Sequence, residues 1–393
     1  MSQTLTVAAD TVVSMRFVAT ADWQLGMTAH YLGDEARPRF AQARIDAIRS
    51  IGRVAAESDA AFILVCGDVF ESNQLDRAVV ARTFDALREV TVPVWLLPGN
   101  HDPLDAASIY RSREFVDGCP EHVHVLDTPG VHPAGDGVEI VAAPWFSKAP
   151  LVDLVADALA DLEPAGAVLR VVAGHGTVLG IDRDNPAGIS ESDLSVAIST
   201  GLAQFAVLGD RHSTTRVTDR IYYPGAPEVT SRREDDPGNV LLVEVQGTSV
   251  SVETIPVGTW SFVHHHAELD SNDDVESLRG WLADQPGKDR TAVWLTLTGT
   301  LTIGAKARLD DVLDQAGDLY ALVDQWDRHT DLAVLPADGE FADLGLTGFA
   351  QDAVDELVGL LDGANGDAAR DALGLLYRLS GGSSTATTGG GVT

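Results

Sequence analysis

Five short stretches of the 393-residue chain carry side chains able to hold a divalent cation. Asp22 lies in ADWQLG (21–26) and Asp68 in GDVF (67–70). Asn100, His101 and Asp102 lie in GNHD (99–102), His175 in AGHG (173–176), and Asp210 and His212 in LGDRH (208–212). Carboxylate and amide oxygens suit manganese and magnesium, and imidazole extends the set toward zinc. Gathered at one point, such donors support metal-assisted hydrolysis, with a histidine nearby to move a proton near neutral pH. Each stretch alone has a plainer reading. A Gly-Asp pair usually ends a strand in a turn, and a lone His such as His175 is more often a satisfied core histidine. GNHD after an apolar strand has no simple packing rationale.

The elements that must bring these residues together are legible in the pattern. RFVATAD (16–22), AFILVCGD (61–68), VPVWLLPGN (92–100), VEIVAAPW (138–145), LRVVAGH (169–175) and FAVLGD (205–210) read as buried strands. Residues 37–58 and 76–90 read as helices, the second capped by Asp76. NVLLVEV (239–245) and VSVETIPV (250–257) read as a closing hairpin. Strands alternating with helices indicate a layered α/β core, whose sites form at the carboxyl ends of strands. Nearly every candidate ligand falls at such an end. After Trp260, a helix at 272–283, a strand at 291–300 and a helix at 305–315 make a small α+β unit. Helices at 350–362 and 367–379 follow, then a Gly/Ser/Thr-rich tail.

In these motifs the chain resembles the calcineurin-like metallophosphoesterases. The segment ADWQLG, the long spacing to VCGDVF, and YPGAPE (223–228) are most similar to SbcD-like DNA repair exonucleases. The resemblance covers roughly residues 15–257 and implies a four-layer α/β/β/α core holding two metals. It further implies that Asp68 bridges the ions, that Asp22 and His212 hold the first, and that Asn100, His175 and Asp210 hold the second. His101 would act as general acid to the leaving oxygen or as a phosphate contact, with Asp102 orienting His101 or its loop.

Two positions depart from the family pattern: Gln24 and Asp210 stand where it usually has histidine. Gln24 offers only a neutral amide oxygen, and Asp210 a hard anionic one. A site richer in carboxylate favours manganese or magnesium over zinc. Its added negative charge raises the pKa of bound water, so a weaker or more alkaline-shifted nuclease is expected. The alternative is that Gln24 does not ligate and one metal is loosely held or absent.

The composition sets limits. With 27 Lys+Arg against 59 Asp+Glu, the net charge of −32 repels nucleic acid and anionic membranes at long range. DNA binding would need local basic patches, and modest arginine groups exist: Arg37, Arg39 and Arg44; Arg111 and Arg113; Arg216 and Arg220; Arg232 and Arg233. Two cysteines, Cys66 and Cys119, exclude a disulfide scaffold or a cysteine-based zinc motif. No stretch approaches the roughly 20 apolar residues of a membrane span, and the first residues lack a secretory pattern, so a cytoplasmic protein is expected. His264, His265 and His266 read as a solvated segment between domains.

The expected organisation is an extension at 1–14, a nuclease core at 15–259, an α+β cap at 260–336, a C-terminal helical segment at 337–380 and a tail at 381–393. The expected activity is manganese-dependent DNA exonuclease or endonuclease action in DNA repair. The partner implied by the resemblance is an SMC-like ATPase of SbcC type, docked on the C-terminal helices; a homodimer is compatible with the sequence. Two further readings stand beside it: a phosphatase or phosphodiesterase for small nucleotide-like substrates, and a non-catalytic scaffold with a weakened metal site.

Overall fold

The computed structural model describes residues 14–179, 187–247, 249–335, 348–360, 363 and 366–379. The chain divides into two compact units, one ending at Trp260 and the other beginning at Ser261. The first is built in the order β1 (Ser14–Thr20), α1 (Ala36–Glu57), β2 (Ile63–Cys66), α2 (Arg77–Leu87), β3 (Val94–Leu97), α3 (Arg113–Gly118), β4 (Val123–Val125), β5 (Gly130–Gly135) and β6 (Val138–Ala142). It continues through α4 (Leu154–Leu159), β7 (Leu169–His175), α5 (Glu191–Ser199), β8 (Phe205–Gly209), β9 (Thr215–Arg216), β10 (Ile221–Tyr223), β11 (Asn239–Gln246) and β12 (Ser249–Pro256).

Two six-stranded sheets result, ordered β12-β11-β1-β2-β3-β4 and β5-β6-β7-β8-β10-β9. β1 to β4 run parallel, as do β6, β7, β8 and β10. Successive strand residues point to opposite faces, so a strand apolar throughout must be covered on both. Phe17, Ala19, Leu64 and Cys66 meet Ile140, Val171, Phe205 and Val207 between the sheets. Their neighbours Val18, Ile63 and Val65 face outward onto Ile48 and Ile51 of α1 and Phe84 and Leu87 of α2. Val141, Val172, Ala206 and Leu208 meet α4 and α5. The order helix, sheet, sheet, helix is the four-layer α/β architecture expected from the strand pattern. Each large side chain buried in these layers contributes about 1.5–3 kcal/mol. Asp76 caps α2 by accepting from Ala78 N at 2.9 Å.

The second unit contains β13 (Ser261–Leu269), α6 (Asn272–Asp284), β14 (Thr291–Thr302), α7 (Ile303–Gly317), β15 (Leu322–Gln325), β16 (Asp331–Leu335), α8 (Phe349–Leu360) and α9 (Gly366–Leu379). β14 is central, parallel to β13, β15 and β16. α6 and α7 cover one face through Val275, Leu278, Leu309 and Val312. The three histidines are a correction: they are not a linker but the middle of β13, where His265 stacks on Trp281 at 3.7 Å. The β-branched signal of a strand is missing there, so the sequence misled. α8 packs on α9 and α9 on β16. Val354 and Leu373 are buried, whereas Phe349, Leu360 and Leu375 are exposed. Residues 1–13, 337–347 and 381–393 of the expected extension, helical segment and tail, and Leu361, lie outside the described residues. No helix among the described residues is long and apolar enough to cross a membrane.

Candidate metal centre

The parallel strands of both sheets deliver their carboxyl ends to one place. Asp22 follows β1, Asp68 follows β2, Asn100 follows β3, His175 closes β7 and Asp210 follows β8. Backbone pairing runs past the sheet here, with Asp22 N donating to Gly67 O and Gln24 N to Asp68 O, both at 3.0 Å. The turns are tight. Asp22, Gln24, Asp68 and Asp210 are four of the five non-glycine residues with positive φ among the described residues. Strain of this kind, about 1–3 kcal/mol each, persists where surrounding structure enforces it.

Ligand atoms of Asp22, Asp68 and His175 lie within 4.8 Å of one another, and all three residues are buried. His175 Nε2 stands 2.7 Å from Asn100 Oδ1 and 3.4 Å from Asp68 Oδ1. Its Nδ1 faces the carbonyl of Cys66 at 2.9 Å, which makes Nδ1 the protonated nitrogen and leaves Nε2 facing the cluster. The same logic orients His212, whose Nδ1 meets Thr230 Oγ1 at 2.6 Å and Glu234 Oε1 at 3.0 Å. His101 donates its backbone N–H to Asp68 Oδ1 at 2.9 Å. Its Nδ1 lies 3.0 Å from Glu71 O, and its Nε2 lies 4.0 Å from Asp68 Oδ2.

The contacts of the remaining candidates are these. Gln24 donates its amide Nε2 to Asp68 Oδ2 at 3.1 Å. Asp210 lies outside the three-residue group. Its carboxylate accepts from Thr177 Oγ1 at 2.7 Å, while its backbone N–H holds the Asp22 carboxylate at 3.0 and 3.2 Å. Asp102, the catalytic-site candidate expected to orient His101 or its loop, is fully buried, and both its oxygens are engaged. They accept from Gly99 N at 2.7 Å, Phe70 N at 3.0 Å and Tyr110 Oη at 2.6 Å. It fastens the GNHD loop to the loop of Asp68.

Burial and crowded charge explain the protonation of the centre. Burial pushes Asp22 up to about 7, aided by Asp68 and opposed by the two histidines. Burial alone would lower His175 and His212. The carboxylates of Asp68, Asp22 and Asp210 for the first, and Glu234 and Asp22 for the second, outweigh it and raise both to about 9. Burial, with Asp68, lifts Asp102 to about 6.

Several contributors carry no sequence motif. Thr230, Glu234, Thr177, Glu71 and Tyr110 act only through the geometry above. Arg44, grouped with surface arginines from its spacing, is a correction: it is fully buried. Its guanidinium donates to Trp23 O at 3.2 Å and Val229 O at 2.8 Å, tying the Gln24 loop to the segment behind His212. It is closed to any phosphate. Arg37, Arg39, Arg113 and Arg216 pair with acids on their own helix or turn.

The donor set fits divalent cations: anionic oxygens and imidazole nitrogens gathered in a buried pocket. Glycines keep the pocket open. A Cβ at Gly67 would lie 2.0 Å from His175 Nδ1, and one at Gly99 would lie 2.3 Å from Asp68 Oδ1.

A family model described as calcineurin-like phosphoesterase matches residues 15–285. The uncharacterized metallophosphoesterase YhaO of Bacillus subtilis is 24% identical over 255 residues, covering 62% of this chain and 60% of its own length. Among solved structures, TT1561 of Thermus thermophilus aligns at TM-score 0.39 and 14% identity, over 62% of this chain and 100% of that one. A dimetal phosphatase from Danio rerio gives the same score and identity, over 62% and 99%. With the motifs seated around one buried carboxylate cluster, the chain belongs to the calcineurin-like phosphoesterase family of metal-dependent phosphoester hydrolases.

Proposed function

We propose that this protein is a two-metal phosphodiesterase acting on DNA ends, most active with manganese, in partnership with an SbcC-type ATPase. The observation that carries the hydrolytic part is the convergence of Asp22, Asp68 and His175 within 4.8 Å, with Asn100 alongside. Asp68, Asp22, His175, Asn100 and His212 would hold the ions. The ions would supply an activated water and neutralise charge on the phosphoryl oxygens. His101 is placed to serve the leaving group. With Nδ1–H directed at Glu71 O, its Nε2 is the nitrogen that can hold and deliver a proton. Gln24, donating to Asp68, would fix that carboxylate without adding charge. The DNA substrate and the ATPase partner are supported by the likeness of ADWQLG, VCGDVF and YPGAPE to SbcD-like nucleases and by the second unit that follows the core.

The test compares manganese-stimulated release of nucleotides from linear duplex DNA with turnover of bis(p-nitrophenyl) phosphate. Activity on both supports the proposal. Turnover of the small diester alone would remove the DNA reading and leave a small-substrate phosphodiesterase. Asp68→Asn should cut either activity at least about a hundredfold, since it removes a buried anionic oxygen from the set that would hold the ions. Unchanged turnover would sink the metal centre itself.

A further inference from the structure

Arg211 is the one residue of the GDRH stretch to which the two-metal reading gives no task. It stands in the chain between Asp210, whose amide holds Asp22, and His212. Its backbone therefore sits at the rim of the centre, adjacent Cα atoms being about 3.8 Å apart. The side chain is partly exposed, and its Nε donates to Thr215 Oγ1 at 2.7 Å. Thr215 Oγ1 in turn donates to Ser213 O at 3.0 Å, so the plane of the guanidinium is set from behind. Its two terminal nitrogens make no hydrogen bond and no ion pair among the described residues. Asp22 is held by the backbone amide of Asp210, and the Asp210 carboxylate accepts from Thr177. The charge of Arg211 acts on the Tyr223 hydroxyl, which donates to Gly176 O and accepts from Val178 N in the loop leaving His175.

A guanidinium with Nε committed and its two terminal NH2 groups free presents a fork that matches two oxygens of one phosphate. In a chain of net charge −32, such a fork left without a carboxylate beside a metal centre is suited to a ligand anion. The scissile phosphate would be held at the metal centre, which leaves the fork for the next one. We propose that Arg211 is a specificity residue that grips a second phosphate adjoining the diester being cleaved. The site then prefers a diester within a phosphorylated chain over an isolated one. This rests on the phosphodiesterase reading above.

The experiment uses the full chain with manganese and three dithymidine substrates: dTpdT, and the same dinucleotide carrying an extra 5′- or 3′-terminal phosphate. All three share one cleavable internal diester. In the unaltered protein, one phosphorylated form should show a KM about tenfold below that of dTpdT, the scale of a charge-assisted hydrogen bond. In Arg211→Gln that ratio should collapse to within about twofold of unity. Arg211→Lys, which keeps the charge but loses the fork, should return part of it, and replaces the glutamine variant should that one lose its thermal transition. No KM advantage for either phosphorylated form in the unaltered protein would overturn the proposal, as would an advantage that survives Arg211→Gln. Failure to cleave any dinucleotide or bis(p-nitrophenyl) phosphate would instead bring down the phosphodiesterase reading, and this proposal with it.

Discussion

Gly99→Ala puts the geometry of the centre under direct strain. A Cβ at this position would lie 2.3 Å from Asp68 Oδ1 and 2.5 Å from the backbone nitrogen of Asp68. Ordinary contact starts at 3.4 Å, so either Asp68 or the GNHD loop must shift by about 1 Å. The backbone of Asp68 has little freedom to yield, because its carbonyl accepts from Gln24 N at 3.0 Å. Its Oδ1 also accepts from His101 N at 2.9 Å, so the displacement reaches His101 as well as the Asp68 carboxylate. A 1 Å misplacement of positioned groups costs on the order of a hundredfold in rate. Overpacking should also cost about 1–3 kcal/mol of stability. The assay is kcat/KM on bis(p-nitrophenyl) phosphate with saturating manganese, beside a thermal melt. Gly33→Ala is the control, since nothing lies within 4 Å of a Cβ there. A folded Gly99→Ala protein keeping activity within threefold of the parent would refute the claim that these loops fix the centre by contact.

Three further outcomes follow from the same geometry. Glu234→Gln, which weakens the carboxylate behind His212 Nδ1, should lower manganese affinity about 10- to 100-fold by titration calorimetry, and unchanged affinity would remove Glu234 from the centre. Metal binding should be strongly pH-dependent: His175 and His212 are raised to about 9 and so protonated at neutral pH, and a metal must displace those protons. Affinity therefore rises from pH 6 to 9 and levels off above, with proton release seen as a buffer-dependent heat; a flat profile would contradict this. Arg44→Met should destabilise the first unit by about 2–4 kcal/mol in urea unfolding, because it leaves the carbonyls of Trp23 and Val229 without their buried donor; a loss below 1 kcal/mol would show that the loops hold without it.

The long apolar strands and α1 and α2 were legible because each spans enough residues for its period to show, and their two-sided burial made the runs continuous. β4, β9 and β10, two or three residues long, leave no period to read. The candidate ligands were legible because polar residues end strands at which packing alone would not require them. What stood behind them was not. Glu234 lies 22 residues from His212, and Tyr110 reaches Asp102 from a short 3₁₀ turn. Such partners are chosen by the fold in space, and no local pattern marks them. Spacing misled at Arg44, which shares a helix with exposed arginines but turns inward. The orientation of Gln24 follows from the position of Asp68 Oδ2, which only coordinates supply.

Three adjacent residues carry three separate fastenings. Glu228 accepts from Thr259 N and Oγ1 and from Trp260 N, where the chain leaves the first unit. The next carbonyl, Val229 O, receives Arg44, and the next side chain, Thr230, meets His212. Gain or loss of a single amino acid within this tripeptide would throw all three out of step at once. The segment is thus closed to the length variation that loops ordinarily tolerate, and substitutions there are constrained by neighbours on either side as much as by their own contacts.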